Sequence, residues 1–376
     1  MNRETRPILR IKYLLFLLAL VAQVSLASAT VTNYVGSCVS GSYPTISAAL
    51  ATTPAPNFVY VCPGTYPEQV VISNPVTLEG IYTSNAGQAF ITLPSGGLGT
   101  DNPCYPQAGI AQVCVSSSGT VNITNITVDG AGATAGPVGI AYYNSSGTMN
   151  HVETRFQEGE GTGIAIDING PGTVTLENSN LHSFDFSGVF AGGNTDQTLK
   201  IEGNTIAPDT GAQTAIFASF TNSATITGNV INGPAAPVGC DPSLGYYCAG
   251  IVAIPGNAGS VSDNTVAGVG GGYAGILLLG LGDYPSTLSV TSNAIFNIAG
   301  DGIQLNISEG ALPPLTIKNN IVTQAQNGIN FECELDNNVN SNTITAISSY
   351  GVANVASGEN SPNTYYNVPT LYSTCP

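Results

Sequence analysis

Asparagine recurs about every 25 residues through the C-terminal half of the chain, each time inside the pattern apolar-x-x-Asn-x-apolar. A second series, a small residue followed by Ile or Val, runs between the asparagines. Self-similarity at such a period indicates a solenoid, in which each repeat is one coil that cannot bury its own apolar face. The asparagines are Asn204, Asn229, Asn264, Asn293, Asn320 and Asn342, and the small residues are Gly139, Gly163, Gly188, Ala215, Gly250, Gly275, Gly302, Gly328 and Gly351.

Each period contains short runs of β-branched residues bounded by Gly, Asn, Asp or Pro, for example residues 224–231 and 275–279. This pattern predicts β-strands joined by tight corners. Asparagine tolerates the left-handed backbone of a tight corner, and stacked Asn amides can hydrogen-bond to one another along a rod. We therefore predict that the six asparagines form one structural line along the solenoid.

Residues 43–50, 58–70 and 76–80 carry a resemblance to a known family. They look like the N-terminal start of the right-handed parallel β-helix proteins of the pectin-lyase-like superfamily, in which a short amphipathic helix plugs the open end. The resemblance covers about residues 34 to 355. It implies an all-β fold, a single right-handed parallel β-helix (solenoid) of about ten to eleven coils with a short N-terminal capping helix.

Residues 1–29 combine four basic residues, an apolar run and the small-x-small sequence at residues 27–29. This arrangement predicts a secretory signal peptide and a secreted, extracellular or periplasmic protein. The expected domains are an N-terminal cap at 30–57, the parallel β-helix at 58–355 and a C-terminal cap or tail at 356–376. Outside residues 1–29 no run is long enough to cross a bilayer, so we expect no membrane span.

The chain contains eight cysteines, and an even count in an oxidising compartment indicates disulfides. Proximity in sequence favours one pairing, although eight cysteines allow many others. Zinc ligands would need close Cys-x-x-Cys or Cys/His spacing, which the sequence lacks. The favoured disulfides are Cys38–Cys62, Cys104–Cys114, Cys240–Cys248 and Cys333–Cys375.

Charge narrows the class of partner. The full chain has seven basic and 23 acidic residues; without the four basic residues and Glu4 of the signal peptide, three basic and 22 acidic residues remain, a formal charge of −19. Nucleic acid, anionic membranes and anionic polysaccharides are all recognised through clustered Lys or Arg. We therefore expect the partner to be a neutral or weakly charged polysaccharide and not nucleic acid. We also expect the protein to be a monomer.

The resemblance also allows known active sites of the superfamily to be compared with this sequence. Polygalacturonases carry Asn-Thr-Asp, Asp-Asp, Gly-His-Gly and Arg-Ile-Lys. Here residues 194–196 read Asn-Thr-Asp, but Asp-Asp and Gly-His-Gly are missing and the one Arg-Ile-Lys lies at residues 10–12. The catalytic motifs of pectin methylesterases are missing as well, so neither activity is assigned.

One window, residues 151–185, concentrates both histidines, Arg155 and several carboxylates. If residues 156–163 align with residues 181–188, Glu160 stacks on Asp185 and Gln157 on His182, one coil apart at about 4.8 Å. Two carboxylates at about 5 Å match the pair of a retaining glycosidase, and their repulsion raises one pKa. Glu160, Asp185 and His182 are therefore the candidate catalytic residues.

Loops at residues 94–108 and 232–249 are expected to wall a groove over these carboxylates. His151, in contrast, aligns with inward positions and is expected in the core. The same acidic corner also fits a purely solubilising role or a calcium site, since calcium prefers oxygen ligands. The candidate substrate-binding residues are Gln157, Asp167, Arg155, Tyr246 and Tyr247.

Three hypotheses follow for function. The first is a secreted β-helix that binds, and in its catalytic version hydrolyses, neutral or weakly charged polysaccharide, with no cofactor other than a candidate Ca²⁺. The second is a non-catalytic extracellular structural or surface protein. The third is a polysaccharide lyase. If the chain is an enzyme, the carboxylate pair favours a glycoside hydrolase over a lyase or an esterase.

Overall fold

The computed structural model describes residues 32–82, 87–105, 107–133, 136–159, 161–168, 172–193, 197–209, 211–236, 239–240, 247–280, 287–307, 315–331, 338–355 and 362–374. These residues form a right-handed parallel β-helix of about ten turns, with very little α-helix. Every pairing between the strands named below is parallel, and each coil contributes one strand to each of three faces. We call them face A, face B and face C.

Faces A and B belong to one 22-stranded sheet, because two 14-residue strands bend from one face into the other. Those shared strands are β19 (Thr214–Thr227) and β21 (Ala249–Ser262). Face A further contains β4 (Val70–Ile72), β7 (Ile110–Val115), β10 (Pro137–Tyr143), β13 (Thr162–Ile168), β16 (Ser187–Gly193), β23 (Ala274–Gly280), β26 (Asp301–Ile307), β29 (Asn327–Asn330), β32 (Tyr350–Val355) and β34 (Thr370–Thr374). Face B further contains β1 (Thr32–Val35), β2 (Phe58–Val61), β5 (Val76–Gly80), β8 (Thr120–Thr124), β11 (Ser146–Asn150), β14 (Gly172–Glu177), β17 (Gln197–Glu202), β24 (Thr287–Thr291), β27 (Leu315–Lys318) and β30 (Asn338–Asn340).

Face C is a separate 12-stranded sheet of short strands. The coils continue beyond residue 355 through β33 (Thr364–Tyr366) on face C and through β34 on face A. The strands of face C are β3 (Gly64–Pro67), β6 (Ala89–Thr92), β9 (Ile126–Asp129), β12 (Glu153–Gln157), β15 (Asn180–Phe184), β18 (Thr205–Ala207), β20 (Val230–Asn232), β22 (Thr265–Ala267), β25 (Ala294–Phe296), β28 (Ile321–Thr323), β31 (Thr343–Thr345) and β33 (Thr364–Tyr366).

The core consists of aliphatic side chains stacked in register from coil to coil. One such row on face A runs through nine consecutive coils, and every member is buried. Because each coil leaves its inward face uncovered, only its neighbours can bury these side chains. The row consists of Ile140, Ile164, Val189, Ile216, Ile251, Ile276, Ile303, Ile329 and Val352.

The predicted series of small residues lies beside this row, where backbones approach closely. A Cβ atom added to Gly275 would lie 2.8 Å from the carbonyl oxygen of Gly302, and one added to Gly302 would lie 2.6 Å from that of Gly328. Both distances are shorter than a real Cβ tolerates, so a side chain here forces the coils apart. Packing therefore requires glycine at these two positions, whereas the same series accommodates the buried alanine Ala215 in β19.

The prediction that the asparagines form a line is confirmed. Each Oδ1 accepts the backbone N–H and the Nδ2 of the asparagine one coil earlier, at 2.9 to 3.0 Å. The line continues to Asn363, and at its other end Ser179 donates its backbone N–H to Asn204. The sequence suggested that the ladder asparagines adopt the left-handed backbone of a tight corner, and this was wrong. The positive φ belongs to the residue before each one, for example Gly228 (65°) and Asp263 (57°).

The predicted capping helix is α1 (Ile46–Leu50), a single short turn of five residues. The Thr45 hydroxyl accepts the N–H of Ala48, and the Glu68 carboxylate accepts the N–H groups of Ile46 and Ser47 at 2.8 and 2.9 Å. Ile46 is buried against the first coils, so the helix covers core residues at the N-terminal end.

In the part of the chain that the structure describes, three disulfides are present: Cys38–Cys62, Cys104–Cys114 and Cys240–Cys248. They are the pairs that sequence proximity favours. Cys333 and Cys375 lie outside the described residues, as does the predicted signal peptide. Among the described residues, the structure has no helix long and apolar enough to cross a membrane.

Candidate functional site

The register of face C differs from the one the sequence suggested. Arg155 pairs with His182, and Gln157 pairs with Phe184, so the expected stacking of Gln157 on His182 was wrong. Face A resumes with Thr162 beside Ser187. The corner of one coil therefore holds four residues, 158–161, where the next coil holds two, 185–186, and the equal spacing assumed from sequence does not exist. Glu160 lies outside the described residues, so its predicted stacking on Asp185 stays a prediction.

Four charged or titratable side chains meet on the outside of face C, and we call them the face C cluster: Asp129, Glu153, Arg155 and His182. Nε2 of His182 lies 2.9 Å from Oε1 of Glu153. Nε and Nη2 of Arg155 lie 2.9 and 2.8 Å from Oδ2 of Asp129, and Nη1 lies 3.6 Å from Oε1 of Glu153. All four side chains are partly exposed, so the cluster is open to solvent.

Two aromatic rings restrict the guanidinium of Arg155. Its Cζ lies 5.2 Å from the ring centre of Phe90 and 5.7 Å from that of Phe156, within the range of a cation–π contact. The Phe156 ring also meets the imidazole of His182 edge to face at 6.2 Å. Arg155 was predicted to bind substrate, but its charge is already neutralised by two carboxylates and its position is fixed by the rings.

A second pair of carboxylates, Asp185 and Asp209, lies at the corner between faces C and A. Burial raises the pKa of Asp209, the negative charge of Asp185 raises it further, and His182 lowers it. Oδ2 of Asp185 accepts the backbone N–H of Gly159 at 2.7 Å, which fixes its carboxylate over the corner. Asp185 and His182 are thus close enough to Asp209 to influence its titration. We call Asp185 and Asp209 the corner pair.

Asp209 was missed in the sequence because it falls outside the window of residues 151–185. The repeat does not reveal it either, because Asp209 follows Asp185 by 24 residues, whereas the paired strands on the two sides of this corner are 25 and 27 residues apart. The backbone N–H of Asp209 donates to the carbonyl of Phe184, so the two coils are joined by a hydrogen bond there. The pairing of the two aspartates therefore depends on the shape of the corner.

An aromatic row continues from this corner onto face A. The rings of Phe190 and Phe217 are stacked on adjacent coils, with centres 4.9 Å apart and planes within 6°, and Phe186 lies 5.9 Å from Phe190. Phe190 is 37% exposed although it is a large apolar side chain. The sequence pointed to tyrosines in loops as binding surfaces, whereas the rings next to the corner pair are phenylalanines, with Phe186 in the corner and Phe190 and Phe217 on strands.

The remaining predicted site residues are dispersed. Gln157 is buried, with Nε2 donating to the carbonyl of Arg155, so it does not face a ligand on the outer surface. Tyr247 packs against an apolar cluster on face A, and the backbone of Asp167 pairs there with Tyr143. The side chain of Asp167 and all of Tyr246 lie outside the part that the structure describes.

His151 corrects another expectation. It is exposed and adopts a positive φ of 53°, so it forms part of a corner and not of the core. Within the described ranges, no three His, Cys, Asp or Glu side chains are grouped in a way that would hold a metal ion. Calcium binding stays a prediction.

Comparisons with known proteins agree with the fold. The family described as "Right handed beta helix region" matches residues 163–365, and no curated protein matches the chain. The catalytic domain of a GH87 alpha-1,3-glucanase in complex with tetrasaccharides is 13% identical, with 91% of this chain and 66% of that chain covered and a TM-score of 0.51. The A-module of the Azotobacter vinelandii mannuronan C-5 epimerase AlgE4 is 14% identical, with coverages of 88% and 92% and a TM-score of 0.48.

The DFA-IIIase from Arthrobacter chlorophenolicus A6 in complex with GF2 is 13% identical, with coverages of 88% and 91% and a TM-score of 0.48. At these identities the similarity concerns the fold and not the site. The family match spans more than half of the 376 residues and contains the corner pair, seven complete strands of face C and the whole asparagine ladder from Asn204 to Asn363. The chain therefore belongs to the right-handed β-helix family.

Proposed function

We propose that the protein is a secreted β-helix that binds neutral or weakly charged polysaccharide and hydrolyses its glycosidic bonds at the corner pair. The observation that carries the proposal is the arrangement of two carboxylates, Asp185 and Asp209, at the corner between faces C and A, with Asp185 held by the N–H of Gly159. Glycoside hydrolysis needs one carboxylic acid that keeps its proton and one carboxylate that is ionised. Partial burial and the charge of Asp185 shift the pKa of Asp209 upward, in the direction that a general acid needs.

The roles follow from these environments. Asp209 acts as the general acid that protonates the leaving oxygen, and Asp185, held by the N–H of Gly159, acts as the base or nucleophile on the other side of the bond. The imidazole of His182 contacts Glu153 through Nε2 and the hydroxyl of Ser183 through Nδ1, so its role is to fix the electrostatics of the corner pair. Phe190 and Phe217 offer an apolar surface beside the reacting bond.

The charge of the surroundings supports a neutral substrate. The face C cluster and the corner pair contain four carboxylates, Asp129, Glu153, Asp185 and Asp209, against the one guanidinium of Arg155. A polyanion approaching this surface would be repelled. The β-helix of the GH87 glucanase, described in complex with tetrasaccharides, supports the idea that this fold can present a glycan site.

Secretion is part of the proposal. It is supported by the predicted signal peptide at residues 1–29 and by three disulfides, which persist in oxidising compartments.

The test is release of reducing ends from a panel of neutral polysaccharides by the chain lacking residues 1–29. Asp185→Asn and Asp209→Asn should each lower the rate by about 100-fold or more, the usual contribution of a general acid or base. Asp263→Asn is the matched control, because Asp263 is an exposed corner aspartate of a more distant coil. Equal rates in all three variants would refute hydrolysis at the corner pair.

The rival proposal is a non-catalytic rod, favoured by the continuous asparagine ladder that stiffens the C-terminal half. A rod predicts no reducing ends from any polysaccharide of the panel, together with high resistance to unfolding. A lyase, the third possibility, would cleave a uronate-containing chain by elimination, which leaves an unsaturated end that absorbs ultraviolet light together with a reducing end. Adding a uronate-containing polysaccharide to the panel, and recording ultraviolet absorbance beside the reducing ends, therefore separates all three proposals.

A further inference from the structure

Aromatic side chains cover the outside of face B at the N-terminal end of the rod. Tyr34 pairs with Tyr60, and Tyr60 pairs with Glu79 on the next coil. The rings of Tyr34 and Tyr60 are stacked with centres 5.4 Å apart, and the ring of Phe58 lies 6.3 Å from Tyr60 at an angle of 10°. All three rings are partly exposed.

These rings border a groove of about 400 Å³ on the outer surface. The carboxylate of Glu79 lies on one side of the groove. Tyr82, which follows β5 by two residues and is 64% exposed, lies on the other side. At the floor the two coils pack backbone against backbone, because a Cβ on Gly80 would lie 2.0 Å from the carbonyl oxygen of Asn125. We call this feature the tyrosine groove; its lining residues are Tyr34, Tyr60, Glu79, Gly80, Ile81, Tyr82 and Asn125.

The aromatic residues are confined to this end of face B. In the register of Tyr34 and Tyr60, the following coils carry Glu79, Thr124, Asn150 and Glu177. Stacking between the rings of Tyr34 and Tyr60 stabilises the first coils, but that contribution does not account for Tyr82, which remains mostly in water. An exposed aromatic residue at the rim of a groove is a feature of binding surfaces.

We propose that the tyrosine groove is a second carbohydrate-binding site, which holds a neutral glycan chain outside the corner pair. Tyrosine rings offer flat apolar faces to the C–H groups of a sugar, and their hydroxyls offer hydrogen bonds at the ring edge. The carboxylate of Glu79 and the amide of Asn125 accept and donate to sugar hydroxyls. Lys and Arg do not occur among the lining residues, and Glu79 repels anionic chains.

The groove shares the substrate class of the proposed function but none of its residues. Glu79 and Glu177 occupy the same column of face B, three coils apart, which corresponds to about 14 Å along the rod axis. Glu177 precedes the strand of His182 by one corner. The corner pair lies beyond the far end of β15, so a polysaccharide that contacts both sites has to cross face C as well as this axial distance. A chain held at the groove in that way would have a raised effective concentration at the corner pair.

The direct test is isothermal titration calorimetry with cellohexaose, laminarihexaose and maltohexaose on the chain lacking residues 1–29, with its disulfides intact. To prevent turnover, the titrations use the Asp209→Asn variant as the parent. We expect at least one hexasaccharide to bind, and Tyr82→Ala to weaken that binding about tenfold. Tyr366→Ala is the control, because Tyr366 is 60% exposed at the other end of the rod.

A second variant guards against an effect on folding. Glu79→Gln keeps the size of the side chain and removes one acceptor charge, and it should weaken the same hexasaccharide while leaving the thermal midpoint unchanged. The proposal is overturned if none of the three glycans binds, if Tyr82→Ala binds as well as its parent, or if Tyr366→Ala loses as much affinity.

The outcome for the groove is separable from the outcome for the corner pair. If binding depends on Tyr82 but the protein with Asp209 intact releases no reducing ends, the proposal of hydrolysis is refuted and the proposal for the tyrosine groove is supported. Release of reducing ends that depends on Asp209, with binding indifferent to Tyr82, would do the reverse. Loss of affinity in Tyr82→Ala with loss of turnover in Asp209→Asn supports both.

Discussion

Nε2 of His182 lies 2.9 Å from Oε1 of Glu153 on the neighbouring coil, and the same oxygen lies 3.6 Å from Nη1 of Arg155. Glu153 therefore links the imidazole of His182 to the guanidinium of Arg155, which two aromatic rings hold in place. Thr127 donates a further hydrogen bond to Oε2 of Glu153 at 3.1 Å, so both carboxylate oxygens are engaged. The arrangement makes Glu153 a positioning residue for His182.

Replacing Glu153 by Gln should lower the rate of reducing-end release about tenfold while leaving KM nearly unchanged. Gln keeps the shape but weakens the charge-assisted bonds to His182 and Arg155, so the imidazole loses its fixed orientation. The free energy of unfolding should change by less than about 1 kcal/mol, as expected for a partly exposed ion pair. Glu177→Gln, on the outside of face B, is the control. If the free energy of unfolding falls by more than about 1 kcal/mol, the lower rate reflects a damaged fold and the positioning role is contradicted.

The pKa of Asp209 offers a test that does not need a substrate. Its pKa is raised by burial and by the negative charge of Asp185, and lowered by His182. Asp185→Asn should therefore lower the pKa of Asp209, and His182→Gln should raise it. Carboxyl carbon chemical shifts, followed by NMR across an acidic titration, measure both directions. Shifts of the same sign in the two variants would show that the corner pair is not electrostatically coupled as described.

Activity should follow the same signs. Asp209 must be protonated to act as the acid, so the rate should fall as pH rises through its raised pKa. In His182→Gln that fall should move to higher pH, provided that measurable turnover remains. A pH profile that is identical in wild type and variant would argue against Asp209 as the acid.

The sequence was sufficient to predict the coils, the asparagine ladder and the glycine packing, because all three repeat with the coil. Asn264 and Gly275, for example, are recognisable from spacing alone, and the structure gives each a contact that recurs in the next coil. Only the left-handed residue was misplaced, by one position, since Asp263 and not Asn264 turns the corner.

The candidate site was harder to predict because it lies where the repeat is broken. The corner between Gln157 and Thr162 has two more residues than the corresponding corner of the next coil. Counting back from the aligned glycines Gly163 and Gly188 therefore pairs the wrong residues on face C. The ion pairs of Arg155 with Asp129 also join residues 26 apart, which no local pattern reveals. Local clustering of charged residues found His182 and Asp185, but it did not find Asp129 and Asp209, which lie outside residues 151–185.

Asp301, on the outside of face A, predicts a pH dependence of stability. It is 8% exposed, and its two carboxylate oxygens accept Nδ2 of Asn327 and Nδ2 of Asn330, each at 2.7 Å. Burial raises the pKa of Asp301 above its ordinary 3.8, and these two hydrogen bonds oppose the increase. The folded state therefore holds the proton more tightly than the unfolded chain.

The sign follows from proton linkage. The contribution of Asp301 is fully present below pH 3.8 and is lost as pH rises from there through the raised pKa. Asp301→Asn lacks this titration, so the stability of wild type relative to the variant should decrease between pH 4 and pH 7. Urea unfolding followed by circular dichroism at several pH values measures the difference. A difference that grows with pH would reverse the assignment.

The asparagine ladder supplies the sharpest stability prediction. Oδ1 of Asn264 accepts the backbone N–H and Nδ2 of Asn229 at 3.0 and 2.9 Å, and its own Nδ2 donates to the carbonyl of Ile226 and to Asn293. Asn264→Ala would leave buried donors of Asn229 without an acceptor. Each such group costs about 1–3 kcal/mol, so we expect a loss of roughly 2–4 kcal/mol.

Two further variants separate this mechanism from a simple loss of packing. Asn264→Ser should cost less than Asn264→Ala, because at the start of the ladder Ser179 accepts the N–H of Val152 through its hydroxyl at 3.1 Å. Asn232→Ala, an exposed asparagine on face C, should be nearly neutral. Urea unfolding followed by circular dichroism gives the three free energies. If Ser and Ala at position 264 are equally damaging, the buried N–H of Asn229 is not what the ladder protects, and the regular recurrence of asparagine would need a different physical explanation.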